Sequence, residues 1–406
     1  MGEIKIPSAE DMPATADVVV IGGGIVGVST AFFCSRAGLK TVVLEKRDAL
    51  GTLTTARSTE CFRAQFESPA DIDLMLGSIA IFRHFSDVVS IPDADIHMRP
   101  QGYLYATREP AQAQEYRRMV AAQHAAGLTD VQLWSGDETR ERFPWVSPDI
   151  IAARYRASDG WLSVHEMLYG FAKGSRARFL LQTEATSMLR DSSGVAGVQT
   201  GRGAVSSRVV VVAAGPFSAR VARWAGVELP LTLLRRQRMA VLCCDLVPRD
   251  APFSMDDDLG SYWRPEGAGA LVGRAYEDVP EEPLELVPVD WTYPAMLLDP
   301  DSPWSVGRMA PFWNQATEAL RKPNLDLSAG QYTYSPDHVP LIGPVVGAPG
   351  LFVNGGYSGH GIMGGPEGGR RLSQLILGEV QDADNPFSPQ RFSRPGAAHA
   401  ALEKVY

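Results

Sequence analysis

Cysteine is scarce in this chain. There are four in 406 residues, Cys34, Cys61, Cys243 and Cys244. None has the C-x-x-C spacing of a thiolate zinc site, and the adjacent pair is poor geometry for a disulfide, so the usage suits a reducing compartment and a cytoplasmic location. Positive charge is also short: 38 Lys and Arg against 47 Asp and Glu leave a net charge of −9. That excludes a nucleic-acid binder or a polybasic membrane anchor, both of which need basic surface. The opening "MGEIKIPSAEDMPATAD" is polar and acidic, unlike a secretory signal. The one long uncharged run, Val18 to Cys34, is broken by a glycine cluster, so no membrane span is expected. No metal-ligand cluster is evident, no repeat recurs, and no tract is of low complexity.

What remains is an ordinary globular composition, 45% hydrophobic and 21% charged. The length is enough for two domains with sizeable cores. The stretch "DVVVIGGGIVGVSTAFFCSRAGLKTVVLEKR" opens with an apolar run, Val18 to Ile21, which suits a strand buried on both faces of a parallel sheet. Gly22, Gly24 and Gly27 fit G-x-G-x-x-G. A helical pattern follows to Arg36 and stops at Gly38, and a second apolar strand, Thr41 to Leu44, ends in Glu45. Gly22 allows the tight turn, Gly24 lets a pyrophosphate approach the helix N-terminus, and Gly27 allows close helix–sheet packing. Ile25, Val26 and Lys46 belong to the same site, and Glu45 would accept hydrogen bonds from a ribose. This unit alone leaves NAD and FAD both open.

Further along, a Thr/Ser/Arg-rich loop enters a helix near Ser58. Residues 70–90 read as helical, residues 91–150 mix short strands with a polar helix around 109–127, and a turn and helix occupy 155–176. Strands with Ser/Gly turns lead to the buried run Val209 to Ala213. Residues 230–335 read as antiparallel strands interrupted by a proline-rich loop at 279–303. In "LLRRQRMAV", Arg236 and Arg238 share one strand face; a solvated edge and a wall facing the cofactor are both open. "GLFVNGG" is a last strand, followed by "GGYSGHGIMGGP" and a helix at about 366–378.

The opening unit, "VVVVAAGPFS" (209–218), "YTYSPDHVPLIGPV" (332–345) and "GLFVNGGYSGHGIMGGP" (350–366) occur in an order that resembles the D-amino-acid oxidase / sarcosine oxidase (glycine oxidase-like) flavoprotein family. The resemblance runs from about residue 15 to 380. It implies an α/β fold: a Rossmann-like FAD-binding domain built from separated segments (14–85, 155–225 and 335–385), an antiparallel-sheet substrate domain (86–154 and 226–334) and a C-terminal tail (386–406). It implies that Tyr357, Ser358, Gly359, His360, Gly361 and Ile362 line the flavin, with the next helix aiming its N-terminus there. Thr54, Thr55, Arg57 and Ser58 match the loop that reaches the pyrophosphate, and Ala214 and Gly215 the passage beside the dinucleotide.

Departures from the family pattern carry their own expectations. Some members attach FAD through a cysteine just before the Tyr-x-x-x-Pro-Asp motif; Gly330 and Gln331 stand there, so FAD is expected to be non-covalent. Met363 replaces a lysine that helps to hold the substrate carboxylate, which leaves Arg63 alone or with Arg264 or a tyrosine such as Tyr262 or Tyr332, and it makes that substrate wall apolar and flexible, to suit an N-substituent larger than methyl. Leu271 falls where oxidases carry a lysine that speeds reaction with oxygen. The implied activity is oxidation of a C–N bond in an amino acid or secondary amine, with oxygen or an electron-acceptor protein as partner. An oxidase is favoured over a dehydrogenase. A 2-hydroxy-acid oxidase and a non-catalytic flavoprotein assembly factor are the alternatives. The residues point to no acid or base beyond the flavin.

Overall fold

The computed structural model describes residues 1–275, 279–316 and 324–392. The last part of the expected tail, 393–406, lies outside them. Two large sheets organise the chain. The first has seven strands, in the order Glu3–Lys5, Arg178–Leu180, Thr41–Leu44, Val18–Ile21, Val210–Val212, Leu351–Gly355 and Leu341–Pro344. All its pairings are parallel except the last. Its central strands come from the start, the middle and the end of the chain. Val18–Ile21 and Val210–Val212 are buried throughout, as parallel strands covered on both faces require. The first strand, Glu3–Lys5, sits at the sheet edge, with Glu3 paired to Arg178, in a segment the sequence reading left without structure.

The second sheet has eight strands: Leu325–Tyr334, Thr232–Val241, Gly269–Arg274, Ser261–Glu266, Phe253–Asp256, Tyr103–Thr107, Ala152–Arg156 and Gln132–Ser135. It is antiparallel but for one parallel joint, Phe253–Asp256 beside Tyr103–Thr107. Thr232–Val241 is paired on both sides, so the solvated-edge reading of "LLRRQRMAV" does not hold. Met239 and Val241 face a hydrophobic core with Trp263, Val272 and Trp313. The opposite face carries Arg236 and Arg238. Arg238 Nε donates to the Arg57 carbonyl at 3.1 Å, so this face of the sheet leans on the 54–58 loop.

The helices follow ordinary capping rules. Pro69–Arg83 starts behind Ser68, which accepts from Asp71 N, with proline at the first helical position. Gly136–Arg142 has a full Ser135/Glu138 capping box. Three local readings need correction. Ser58 opens no helix: a single 3-10 turn, Thr55–Arg57, ends there, and the chain goes extended into Cys61–Phe62. Residues 70–90 form two helices, Pro69–Arg83 and Phe85–Val89. The last helix is Gly361–Leu377, five residues earlier than its glycines and Pro366 suggest. Packing overrides propensity there: Gly365 and Gly369 face Val26 and Thr30 of the first helix, where added Cβ atoms would come within 3.0 and 2.7 Å. Among the described residues, no helix is long and apolar enough to cross a membrane.

Candidate functional site

The first site is a cleft that starts at the glycine loop. Gly22 has φ +114°, and a Cβ on it would lie 2.4 Å from the Ala213 carbonyl oxygen. A Cβ on Gly27 would lie 2.0 Å from the Gly22 carbonyl oxygen. Both positions therefore need glycine for a tight turn under a closely packed helix. Gly24 is the N-cap of the helix Ile25–Arg36 and supplies no side-chain cap. Its first amides, with the positive end of the helix dipole, make an anion site. Ile25 N donates to Thr55 Oγ1 at 3.2 Å, which marks the place an acceptor would take. Glu45 is nearly buried; it accepts from Gly23 N at 2.7 Å and Arg47 N at 2.8 Å, so its carboxylate is fixed beside the loop.

From Glu45 and Glu184 the cleft runs past Ala214 and Gly215 to Tyr332, Gly359, Gly361 and Ile362. Val26, Lys46, Thr54, Thr55, Ser58 and Tyr357 also line it. Lys46 stacks on Phe217, its ammonium 3.5 Å from the ring centre, and pairs with Glu285. Thr54 Oγ1 donates to the Gln331 carbonyl at 3.0 Å and ties the loop to the second sheet. Arg57 lies outside the cleft wall; it packs on Gly330, where a Cβ would come within 3.2 Å of Arg57 Cβ. This long groove, with an anion site in the middle and a carboxylate toward one end, fits a flavin adenine dinucleotide.

The glycine-rich segment 355–366 serves two purposes. Gly356, Ser358 and Gly359 have φ of +67°, +50° and +92°, which turn the chain out of its strand. A Cβ on Gly359 would lie 2.7 Å from the Tyr332 ring, so bare backbone lets that ring cross the cleft wall. The later glycines serve packing. Tyr357 lies along the last helix, its hydroxyl donating to Asn354 Oδ1 at 2.6 Å, and a Cβ on Gly368 would lie 1.9 Å from that hydroxyl. Ser358 is buried beside the cleft without lining it. His360 turns away from the cleft and lines a second cavity.

That second cavity measures about 1090 Å³ and shares one wall residue, Tyr357, with the first. Arg63 lies in its wall, 4% exposed. Its Nη1 donates to the Gln65 carbonyl at 2.7 Å, its Nη2 is 3.1 Å from His360 Nε2, and its guanidinium carbon sits 4.0 Å from the Phe66 ring centre. Burial first, and the Arg63 charge second, hold His360 well below the usual histidine range. The imidazole is therefore neutral and accepts from Arg63. Glu60 and Glu67, the two acids near Arg63 in sequence, are engaged elsewhere: Glu67 with Arg118 at 3.0 Å, Glu60 with Val164 N at 3.2 Å.

The other sequence-predicted substrate residues do not gather around Arg63. Tyr332 lines the cofactor cleft. Arg264 is fully buried and donates to the Thr59 and Pro265 carbonyls at 3.0 and 3.1 Å, so it fastens a loop. Tyr262 stacks on Phe253 and covers Gly273, lining neither cavity. Met363 is buried in the largest hydrophobic cluster, with Ile25, Val28 and Met75, and lines neither. Leu271 is buried in the sheet between Ala240 and Arg264 and also lines neither. Sequence reasoning missed Glu184 and Asn354 in the cleft and Tyr105, Arg154 and Asp71 in the second cavity. The alternation Arg154, Arg156 in "ARYRASDG" was a usable signal, since two arginines two apart share one face of a strand.

Known proteins share this architecture. A family model described as FAD dependent oxidoreductase matches residues 17–375. The Xenopus laevis FAD-dependent oxidoreductase domain-containing protein 1 is 27% identical over 91% of this chain and 81% of its own length. Human mitochondrial sarcosine dehydrogenase is 26% identical over 90% of this chain, which spans only 40% of that protein. Among solved structures, L-proline dehydrogenase from P. horikoshii superposes with a TM-score of 0.80 at 25% identity, covering 94% of this chain and 99% of the other.

Proposed function

As a member of the family of FAD-dependent oxidoreductases, this chain acts, we propose, on the C–N bond of an amino acid or secondary amine that carries a carboxylate, of the N-substituted glycine kind. The first cleft would hold FAD non-covalently, and the cofactor would supply the redox chemistry there as acceptor of the substrate hydride. The glycine loop and the N-terminus of Ile25–Arg36 would hold its pyrophosphate, Glu45 its ribose, and the 357–362 turn its ring end. The division into a cofactor-binding part (14–85, 155–225, 335–385) and a substrate part (86–154, 226–334) belongs to the same proposal.

One observation carries the reading: a buried guanidinium, Arg63, in a cavity that shares the Tyr357 wall with the cofactor cleft. Its planar fork matches a carboxylate with two parallel hydrogen bonds. Neutral His360 steadies the fork and adds no competing charge. A carboxylate on Arg63 would turn the substrate carbon next to nitrogen toward the cleft and keep water from the reacting bond. The substrate amine loses its proton to water, and no side chain is assigned as base. The oxidised product is an imine, which hydrolyses to a carbonyl compound and a smaller amine.

Similarity to dehydrogenases favours an acceptor other than oxygen as the second reading. A cytoplasmic location suits the free cysteines. Turnover of N-alkyl glycines with an artificial acceptor, followed by mass spectrometry, tests the reaction. A carbonyl compound and the dealkylated amine are expected. A 2-oxo acid formed only from 2-hydroxy acids would replace this reading with hydroxy-acid oxidation.

A further inference from the structure

The second cavity is larger than a small amino acid needs, being at the top of the usual range of ligand pockets, about 300–1,000 Å³. On its wall, beyond Arg63, lie Tyr105 and Arg154. Arg154 is 4% exposed, and among the described residues its Nε and Nη1 have no hydrogen-bond partner. It packs on ring faces, Tyr105 at 3.8 Å and Tyr116 at 5.4 Å from the guanidinium carbon, with the Glu115 carboxylate in electrostatic reach. Tyr105 is 1% exposed and stacks on Tyr103, and among the described residues its hydroxyl has no partner in hydrogen-bond geometry. Burial pushes the phenol up, so it stays a neutral donor.

Two arginines nearby are held differently, the buried Arg156 and the partly buried Arg108. Arg156, two residues along the same strand, pairs with Asp130 at 2.7 Å and Asp159 at 2.5 Å. Arg108 is held by Asp149, Asp256 and Asp258. Seven acids share the cavity wall with Arg154, namely Glu67, Asp71, Glu109, Glu115, Asp257, Asp258 and Asp337, and among the described residues none is hydrogen-bonded or ion-paired to it. Glu115 pairs with Arg118, and Asp257 accepts from Tyr116 Oη at 2.9 Å and Gln112 Nε2 at 3.0 Å. A buried cation without a hydrogen-bonded anion is costly, and a ligand carboxylate removes that cost.

Resting on the assignment of Arg63 to the substrate carboxylate, we propose that Arg154 and Tyr105 form a second anion subsite, so that the preferred substrate is an amino acid bearing a further carboxylate. The spacing suits one molecule. The guanidinium carbons of Arg63 and Arg154 lie 5.7 and 3.8 Å from the Tyr105 ring centre, so they are no farther apart than those distances combined. One carboxylate meets Arg63 beside the cofactor cleft. The other meets Arg154 and the Tyr105 hydroxyl deeper in the second domain.

The test uses two thioethers without an oxidisable C–N bond: methylthioacetate, with one carboxylate, and thiodiglycolate, with two. Each is titrated into FAD-loaded enzyme and followed by calorimetry and by the flavin spectrum. Thiodiglycolate is expected to bind about tenfold or more tightly than methylthioacetate. Arg154→Gln brings that ratio toward one, and Tyr105→Phe lowers it by a smaller factor. Should Arg154→Gln fail to fold, Tyr105→Phe decides, because it removes a single hydroxyl. Equal binding of both ligands to the wild type, or a ratio that survives these substitutions while Arg63→Ala still weakens methylthioacetate, overturns the second subsite alone. If the wild type binds neither ligand, or Arg63→Ala leaves methylthioacetate binding unchanged, the Arg63 reading falls and the second subsite with it.

Discussion

Replacing Arg63 by alanine removes a guanidinium that is 4% exposed and packed on Phe66. Two effects follow, and they separate by magnitude and by ligand. The bonds to the Gln65 carbonyl and to His360 are lost, each worth about 1 kcal/mol of stability. That lowers the melting temperature but leaves the cofactor cleft, which Arg63 does not line, intact. The substrate loses a charge-assisted bond in a buried site, about 1.5–3 kcal/mol, which is roughly ten- to a hundredfold in kcat/KM. The loss is expected for carboxylate substrates and is much smaller for plain amines with the same N-substituent. Arg63→Lys keeps the charge but not the fork and should fall between. His360 loses the lesser cause of its depression and keeps the greater, its burial. Its pKa should therefore rise in the Arg63→Ala protein without returning to its ordinary value. The assay is kcat/KM for paired substrates on protein of equal flavin content. An Arg63→Ala enzyme with intact flavin and unchanged efficiency on carboxylates refutes the reasoning.

Gly24→Val places a branched side chain at the helix N-terminus, where even a Cβ lies 3.2 Å from Thr55 Oγ1. FAD affinity should drop about ten- to a hundredfold with the fold retained, as read by flavin retention on desalting; full retention contradicts the anion-site assignment. Acid precipitation should leave all the yellow colour in the supernatant, since Gly330 and Gln331 offer no thiol and Cys61 is buried; colour in the pellet means a covalent link. Asp71, in the first turn of its helix, is pushed up to about 6 from 3.8 by burial and by the neighbouring Asp337 charge. The folded state then binds the proton more tightly, so its contribution to stability is present below about pH 4 and is lost as pH rises to about 6. Asp71→Asn should flatten that slope and raise the melting temperature at pH 7; a wild-type pH profile in the variant counts against it.

The cofactor cleft was legible because its parts are local. A buried strand, three glycines at fixed spacing, a helix and a terminal acid occupy 28 consecutive residues, Val18 to Glu45, and each has one physical job. The glycines at 364–369 were harder to read. A close flavin and a close helix both demand bare backbone, and the sequence cannot say which neighbour is near. The structure gives Gly365 and Gly369 to the first helix and Gly368 to Tyr357. The second cavity was the least legible. Arg63, Tyr105, Arg154, Asp257 and His360 line one cavity although they come from segments far apart in the chain. Tyr262 and Arg264 carried the right chemistry but sit in a strand whose side chains fasten the 59–61 loop and the sheet. Thr232–Val241 looked like an edge because its arginines seemed solvated. The long partner Leu325–Tyr334 covers that side, and the arginines bind backbone and Tyr334 instead.

The central claim is that this flavoprotein oxidises carboxylate-bearing amines. Mixing the FAD-loaded enzyme anaerobically with a panel of N-substituted amino acids, plain amines and 2-hydroxy acids, while recording the flavin absorbance, tests it most directly. Rapid bleaching by at least one N-substituted amino acid, slow or absent with the matching decarboxylated amine and hydroxy acid, is the predicted result. A flavin that stays oxidised with every amine, yet is bleached by dithionite, would contradict it.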